Sequence, residues 1–299
     1  MAARKRRRRR KKHPFLTFLL LLILAIGIIG TLMGTKFYMA HTDADFPTAL
    51  RQTLRLGGQY LFNSVSPADQ SIPTNPYHSG DYYRRGDFIQ CSKSEVSRVG
   101  IDVSSHQKEI DWNAVADAGV DFAMVRVGYR GYTEGDIFPD TTAIDNIEGA
   151  LNAGLDVGAY FYSQATTEEE ALEEAQFVLK AVEGYTLKYP IVFDWERVHT
   201  DSSRTINVTG DEMTDFAQIF CSEIEKLGYT AGIYFNQSDG YNCFSLRTLR
   251  DYDFWLAEYA DAQSFAYAVQ LWQYDNAASV PGIEGPVDVN LCYKDYKGA

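Results

Sequence analysis

Histidine and cysteine are scarce in this 299-residue chain, which holds five of the first and four of the second. None falls into a C-x-x-C or helical H-x-x-x-H spacing, so the usual frameworks for a zinc site are missing. Basic residues are scarce too, once the start of the chain is set aside. Nine of the 28 Lys and Arg stand in the first twelve residues, MAARKRRRRRKK, which leaves 19 against 40 Asp and Glu, a formal charge of −21 after residue 12. So acidic a chain repels polyphosphate, which excludes DNA and RNA as partners. An anionic surface polymer would repel it as well, so its location must be set by something other than charge.

One uncharged run supplies that something. Residues 14–34, PFLTFLLLLILAIGIIGTLMG, hold no charge over 21 positions, and as a helix they would be about 31 Å long, the thickness of a bilayer core. Basic residues before the run and almost none just after it place the N-terminus in the cytoplasm and the rest of the chain outside. A cleaved signal peptide, with secretion of the remainder, is the alternative. It calls for a shorter apolar core and a small-x-small cleavage site, which the following KFYMAHTDADF does not offer. The expectation is a basic tail at 1–13, a single-pass transmembrane helix at 14–34 and an exterior domain. In an oxidising exterior Cys91, Cys221, Cys243 and Cys292 could pair, and Cys221 with Cys243 and Cys91 with Cys292 are the expected bridges; buried free thiols are the alternative.

Residues 35–97 combine a helix-like stretch, FPTALRQTLRLGGQYLF, with a piece rich in Pro, Ser, Asn, Gly and Tyr, and read as a stalk or wrapping linker. From residue 98 to the end the texture changes. Eight short apolar runs follow at 99–105, 122–129, 156–163, 189–196, 230–236, 254–259, 267–274 and 287–292, and between the first six lie helix-like segments, several of which close on Gly, the usual helix stop, with a less regular one at 238–250. Strand and helix in alternation, over about 200 residues, predict an α/β fold: an irregular, flattened (β/α) barrel of about eight strands. Only residues 260–266 separate the sixth and seventh runs, too few for a parallel crossover, so the last strands are expected to be partly antiparallel.

In such barrels chemistry gathers at the C-terminal ends of strands. The run YPIVFDWE, 189–196, ends in two carboxylates there. Side chains two apart on a strand share a face, so Asp194 and Glu196 project together, roughly 6 to 7 Å apart, while Trp195 points away. Each raises the other's pKa, and burial raises both. A Glu raised by about two pH units, about 2.7 kcal/mol, remains a proton donor near neutrality. A donor acid beside ionised acids in an aromatic cleft is equipment for cleaving a glycosidic bond. Taken alone, a D-x-E is more often a solvated strand end, and Mg²⁺ or Ca²⁺ binding would call for phosphate substrates or denser acidic loops.

Six stretches in order, GIDVSSHQ (100–107), IDWNAVADAGVDFAMVRVGYRG (110–131), NIEGALNAGLDVGAYFYSQA (146–165), YPIVFDWE (189–196), YDFWLAEY (252–259) and VQLWQYD with VPGIEGPVDVN (269–290), resemble the family 25 glycoside hydrolases, bacterial and phage lysozymes of the N-acetylmuramidase type. The resemblance runs from Val99 to about Tyr293. It implies a peptidoglycan hydrolase cutting the β-1,4 bond from N-acetylmuramic acid to N-acetylglucosamine, with Glu196 as general acid, Asp194 as its partner, and Asp102 and Asp288 lining the floor. All four positions are acids here. One stretch, DNAASVPGI, lacks a Gly common in the family before V-P-G-I. The expected nucleophile is the substrate's own 2-acetamido group, oriented by Asp194.

Arg126, Tyr160, Tyr162, Gln270 and Trp272 stand near strand ends and are the expected substrate contacts, since aromatic faces stack on pyranose rings and Arg reaches a carboxylate. His106 and His199 read as polar loop residues, and EEEALEEA (168–175) as a solvated helix face. No cofactor and no metal are expected; the partners are peptidoglycan strands and the membrane. Competing functions are a glycan-binding or scaffolding protein on an enzyme's fold and a chitinase-like hydrolase.

Overall fold

The structure, a computed structural model, describes residues 69, 71–200 and 202–296. The basic tail, the expected transmembrane helix and the first half of the expected linker lie outside these residues. Among the described residues no helix is long and apolar enough to cross a membrane.

Eight strands close into a barrel: β3 (Arg98–Val103), β4 (Phe122–Arg130), β6 (Asp156–Ser163), β7 (Ile191–Trp195), β8 (Ala231–Asn236), β9 (Asp253–Ala257), β10 (Leu271–Ala278) and β11 (Val287–Cys292), with β3 pairing back onto β4. Each corresponds to one of the eight apolar runs. A short β5 (Ile137–Pro139) hangs on the end of β4, and a separate hairpin, β1 (Tyr82–Arg85) with β2 (Phe88–Cys91), precedes the barrel. Helices α1 (Trp112–Asp117), α2 (Ala143–Asn152), α3 (Glu168–Ala181), α4 (Gly210–Glu225) and α5 (Gln237–Asn242) follow the strands in alternation.

Local chemistry sets their ends. Asp111, Thr167 and Thr209 cap α1, α3 and α4, each side-chain oxygen accepting from the backbone N–H three residues on. After α2 and α4 the chain turns at Gly154 and Gly228, whose positive φ of 84° and 85° a side chain would resist.

Seven strands run parallel and only β11 is reversed, pairing antiparallel with both β10 and β3. The end of the barrel is thus partly antiparallel as expected, but the reversal falls at the eighth strand and not between the sixth and seventh. β10 begins at Leu271, four residues later than its apolar run, so residues 258–270 are free to make a full crossover and Leu271 pairs parallel with Trp255.

The period-two alternation divides the barrel residues into two clusters. Phe122, Met124, Tyr189, Val192, Leu271 and Cys292 fill the interior from below, with Tyr234 and Trp255 above them. Gly100 makes room for this plug, because a Cβ there would stand 2.1 Å from the Phe122 ring. The outward residues, among them Trp195 and Trp272, pack in the larger cluster outside the barrel wall.

Three further expectations change. Neither expected bridge forms: Cys292 points into the barrel plug while Cys91 packs in the outer cluster, and Cys221 and Cys243 donate instead to the Gly232 carbonyl and to Asp239 Oδ1. The second half of the linker is not a free stalk. Ile72, Ile89 and Cys91 are buried in the outer core, Asn75 and Ala268 exchange backbone bonds with Ala266 and Pro73, and Arg247 pairs with Asp69. The acidic face of α3 is solvated only in part, since Glu174 is fully buried and holds the buried Arg130 at 2.7 Å. Burial pushes the Glu174 carboxyl up to about 7, against the pull of Ser163 and Arg130.

Candidate active site

At the C-terminal ends of the parallel strands a cleft of about 200 Å³ is lined by Asp102, Arg126, Tyr160, Tyr162, Asp194, Glu196 and Asp288, together with Tyr234, Trp255, Tyr259 and Gln273. The alternation that sends Trp195 outward, where its Nε1 donates to the Ala165 carbonyl at 2.9 Å, turns Asp194 and Glu196 inward. Asp288 joins them because its strand is reversed. It stands at the start of β11, level with the ends of the others, and directly opposite Asp102 in the ladder.

Asp102 is held by two amides, and a donor-only neighbour fixes the orientation of the first. The Trp255 indole N–H can only donate, and it donates to Asn290 Oδ1 at 2.8 Å, which turns Asn290 Nδ2 onto Asp102 Oδ2 at 2.8 Å. The hydroxyls of Tyr234 and Tyr259 donate to Gln273 Oε1 at 2.9 and 3.1 Å, which turns Gln273 Nε2 onto the same oxygen at 2.9 Å. Burial, and then the charge of Asp288, hold the Asp102 carboxyl well above its ordinary range.

Glu196 is fixed through its backbone. Gln164, fully buried, donates from Nε2 to the Glu196 carbonyl at 2.6 Å and accepts from Thr205 Oγ1 at 3.3 Å. Burial raises the Glu196 carboxyl to about 7, helped by the charges of Asp239 and Asp288. Asp194 is raised well above its ordinary range by burial and then by Glu196 and Asp102, with Arg126 pulling the other way. Its Oδ1 is buried and has no hydrogen-bond partner. Arg126 is itself held by Asp140, which accepts from Nε at 2.9 Å, and reaches Ser105 Oγ at 3.3 Å.

Among the described residues no group of three or more His, Cys, Asp or Glu is arranged to hold a metal ion. His106 is exposed on a turn after β3, and His199 is exposed in the loop after β7.

Two expected contacts are not in the cleft. Trp272 is fully buried in the outer cluster, its Nε1 donating to the Glu258 carbonyl at 2.8 Å and its ring meeting Tyr82 edge-on at 5.2 Å. Gln270 lies before β10, at the opposite end of the strand, where its Oε1 accepts from the Phe254 backbone N–H. The late start of β10 explains both: Leu271 and Gln273 face inward, and Trp272 between them cannot. Tyr234, Trp255, Tyr259, Gln273 and Asn290 were missed. The first two lie in YFN and FWLAEY, where the alternation of runs 230–236 and 254–259 would have marked them as inward.

Against known families, residues 101–283 match the glycosyl hydrolases family 25. The chain belongs to that family. It is 28% identical over 192 residues to the autolytic lysozyme of Clostridium acetobutylicum, covering 64% of this chain and 54% of that one. Among solved structures, the modular autolysin LytC from Streptococcus pneumoniae superposes with a TM-score of 0.59 at 25% identity, over 71% of this chain and 52% of LytC. A family 25 glycosyl hydrolase from Bacillus anthracis shares the fold with a TM-score of 0.57 at 21% identity, over 74% of this chain and 95% of its own. The chain therefore spans only about half the length of the Clostridium lysozyme and of LytC, while the family 25 barrel is matched nearly from end to end.

Proposed function

We propose that the protein is a lysozyme of the N-acetylmuramidase type, hydrolysing the β-1,4 bond from N-acetylmuramic acid to N-acetylglucosamine, and that it works on the cell wall while anchored by residues 14–34. The observation that carries the reading is the pairing, in one aromatic cleft, of a Glu raised to about 7 with an Asp whose buried Oδ1 has no partner. Family membership supports it, as does LytC, whose structure is also known in complex with a synthetic peptidoglycan ligand.

In this mechanism Glu196 gives its proton to the leaving O4 as the bond to C1 breaks, and the 2-acetamido oxygen of the same sugar closes onto C1. Asp194 Oδ1 accepts the acetamido N–H, which aims that oxygen. The donor favours the ionised form of Asp194, and the charge so formed raises Glu196 and keeps it protonated for the first step. Water then opens the cyclic intermediate, with Glu196 taking its proton, and C1 ends with its original configuration. Positive charge developing at the anomeric carbon faces the acids of the floor. Proton NMR of the first product tests this route: retention is expected, and an inverted anomer would rule out the acetamido as nucleophile.

A further inference from the structure

On the flank of the barrel a second cavity, of about 220 Å³, opens between Asn75, Tyr77, Gln263, Gln270, Tyr293 and Lys294. None of the acids of the cleft lines it. Its hydrogen bonding can be read without ambiguity. The Tyr77 backbone N–H can only donate, and it donates to Asn75 Oδ1 at 2.9 Å. Asn75 Nδ2 is thereby turned onto Gln263 Oε1 at 2.6 Å and the Phe265 carbonyl at 3.1 Å. Gln263 cannot turn over without setting N–H against N–H. Its Nε2 is thus left with no partner, although the residue is only 4% exposed. A buried donor left unsatisfied costs about 1–3 kcal/mol, so the position calls for an acceptor.

Two more donors line the same space. Gln270 Oε1 is taken by the Phe254 N–H, which leaves its Nε2 for the cavity. Lys294 Nζ sits 2.8 and 2.9 Å from the two oxygens of Asp253, so its charge is already balanced. The remaining wall is apolar: Pro76, Val269 and the stacked rings of Tyr77 and Tyr293, 4.9 Å apart. Three donors, no net charge and an apolar wall fit a neutral carbonyl joined to a methyl group better than an anion.

We infer that this cavity is a second glycan site that takes the acetamido group of an N-acetylhexosamine, its carbonyl oxygen accepting from Gln263 Nε2 and its methyl lying on the apolar wall. The inference rests on the proposed action on acetamido sugars. Asn75 and Tyr77 precede residue 101 and Tyr293 and Lys294 follow residue 283, so these four lining residues lie outside the stretch that matches the family. It would give the protein a second grip on the polymer that it cuts.

The test uses the full chain in detergent micelles with ¹⁵N-labelled glutamine, titrated with triacetylchitotriose. The Gln263 side-chain amide signal is assigned by its loss in Gln263→Glu, and the Gln273 signal reports separately on the cleft. Saturable shifts of the Gln263 and Gln270 amides are expected, lost in Ala268→Leu, which fills the cavity, while the Gln273 shift survives. The inference is overturned if the Gln263 signal stays still at sugar concentrations that saturate Gln273, if neither signal moves, or if the Gln263 shift persists in Ala268→Leu. A saturable Gln263 shift in a protein that releases no reducing ends from cell walls would uphold the site and sink the lysozyme reading instead.

Discussion

Asp102 and Asp288 face each other across one rung of the antiparallel ladder between β3 and β11, two acids where a sheet ordinarily avoids like charges. The pair is tolerated because burial and the Asp288 charge keep Asp102 protonated well above its ordinary range, while Asn290 and Gln273 fix its Oδ2 as an acceptor. Both acids of the floor are raised by burial, and Asn290 meets Asp102 Oδ2 in the one orientation that the Trp255 indole allows.

Glu196→Gln tests the acid directly. Loss of a general acid lowers kcat by about 10²- to 10⁴-fold. The same change should strengthen the fold in alkali. The Glu196 pKa of about 7 in the fold lies above its unfolded value of 4.5, so the native state binds the extra proton and stability falls as pH rises between the two. Calorimetry should show the variant more stable than the wild type at pH 8, by up to about 3 kcal/mol, and equal to it at pH 4.

Asp239 is the first of the charges that raise Glu196. Replacing it with Asn removes that repulsion, so Glu196 ionises more readily and loses its proton at lower pH. The alkaline limb of kcat against pH, expected near 7 in the wild type, should move to lower pH in Asp239→Asn. A limb that stays in place would mean that another group sets it.

Asn290 connects the Trp255 indole to Asp102 and is fully buried. Asn290→Leu strands the indole N–H and takes one donor from Asp102, costing about 1–3 kcal/mol of stability by denaturant unfolding. Asp102 should bind its proton more tightly as a result, and kcat should fall with little change in KM, because Asn290 is not among the residues lining the cleft.

The hairpin before the barrel is tested by Ile89→Ala. Ile89 is 1% exposed, and its backbone N–H donates to the Tyr274 hydroxyl at 3.2 Å. If residues 72–97 belong to the folded domain, unfolding should become easier by about 2–5 kcal/mol; a free stalk would show no change.

Much of this architecture is legible in the sequence, because apolar runs and glycine stops are local signals. All eight barrel strands were marked by such runs, and the period of two brought Asp194 and Glu196 onto one face. What failed depends on distant partners. The start of β10 is set by pairing with Trp255, not by the apolar run from 267, and that slip exchanged Trp272 and Gln270 for Gln273. Asp140 and Asn290 carry no signal of their own. One is identified by the Arg126 guanidinium that it holds, the other by an indole 35 residues away in the chain. The cysteines were paired by number and compartment, with no knowledge of which face each would occupy.

The central claim is the bond that is cut. Mass spectrometry of borohydride-reduced fragments, released from purified cell walls by the full-length protein, reads it directly. Reduced N-acetylmuramic acid at the new ends, absent when Glu196 is replaced by Gln, is the predicted result. Reduced N-acetylglucosamine at those ends, or no release at all from walls that a known lysozyme digests, would contradict the account.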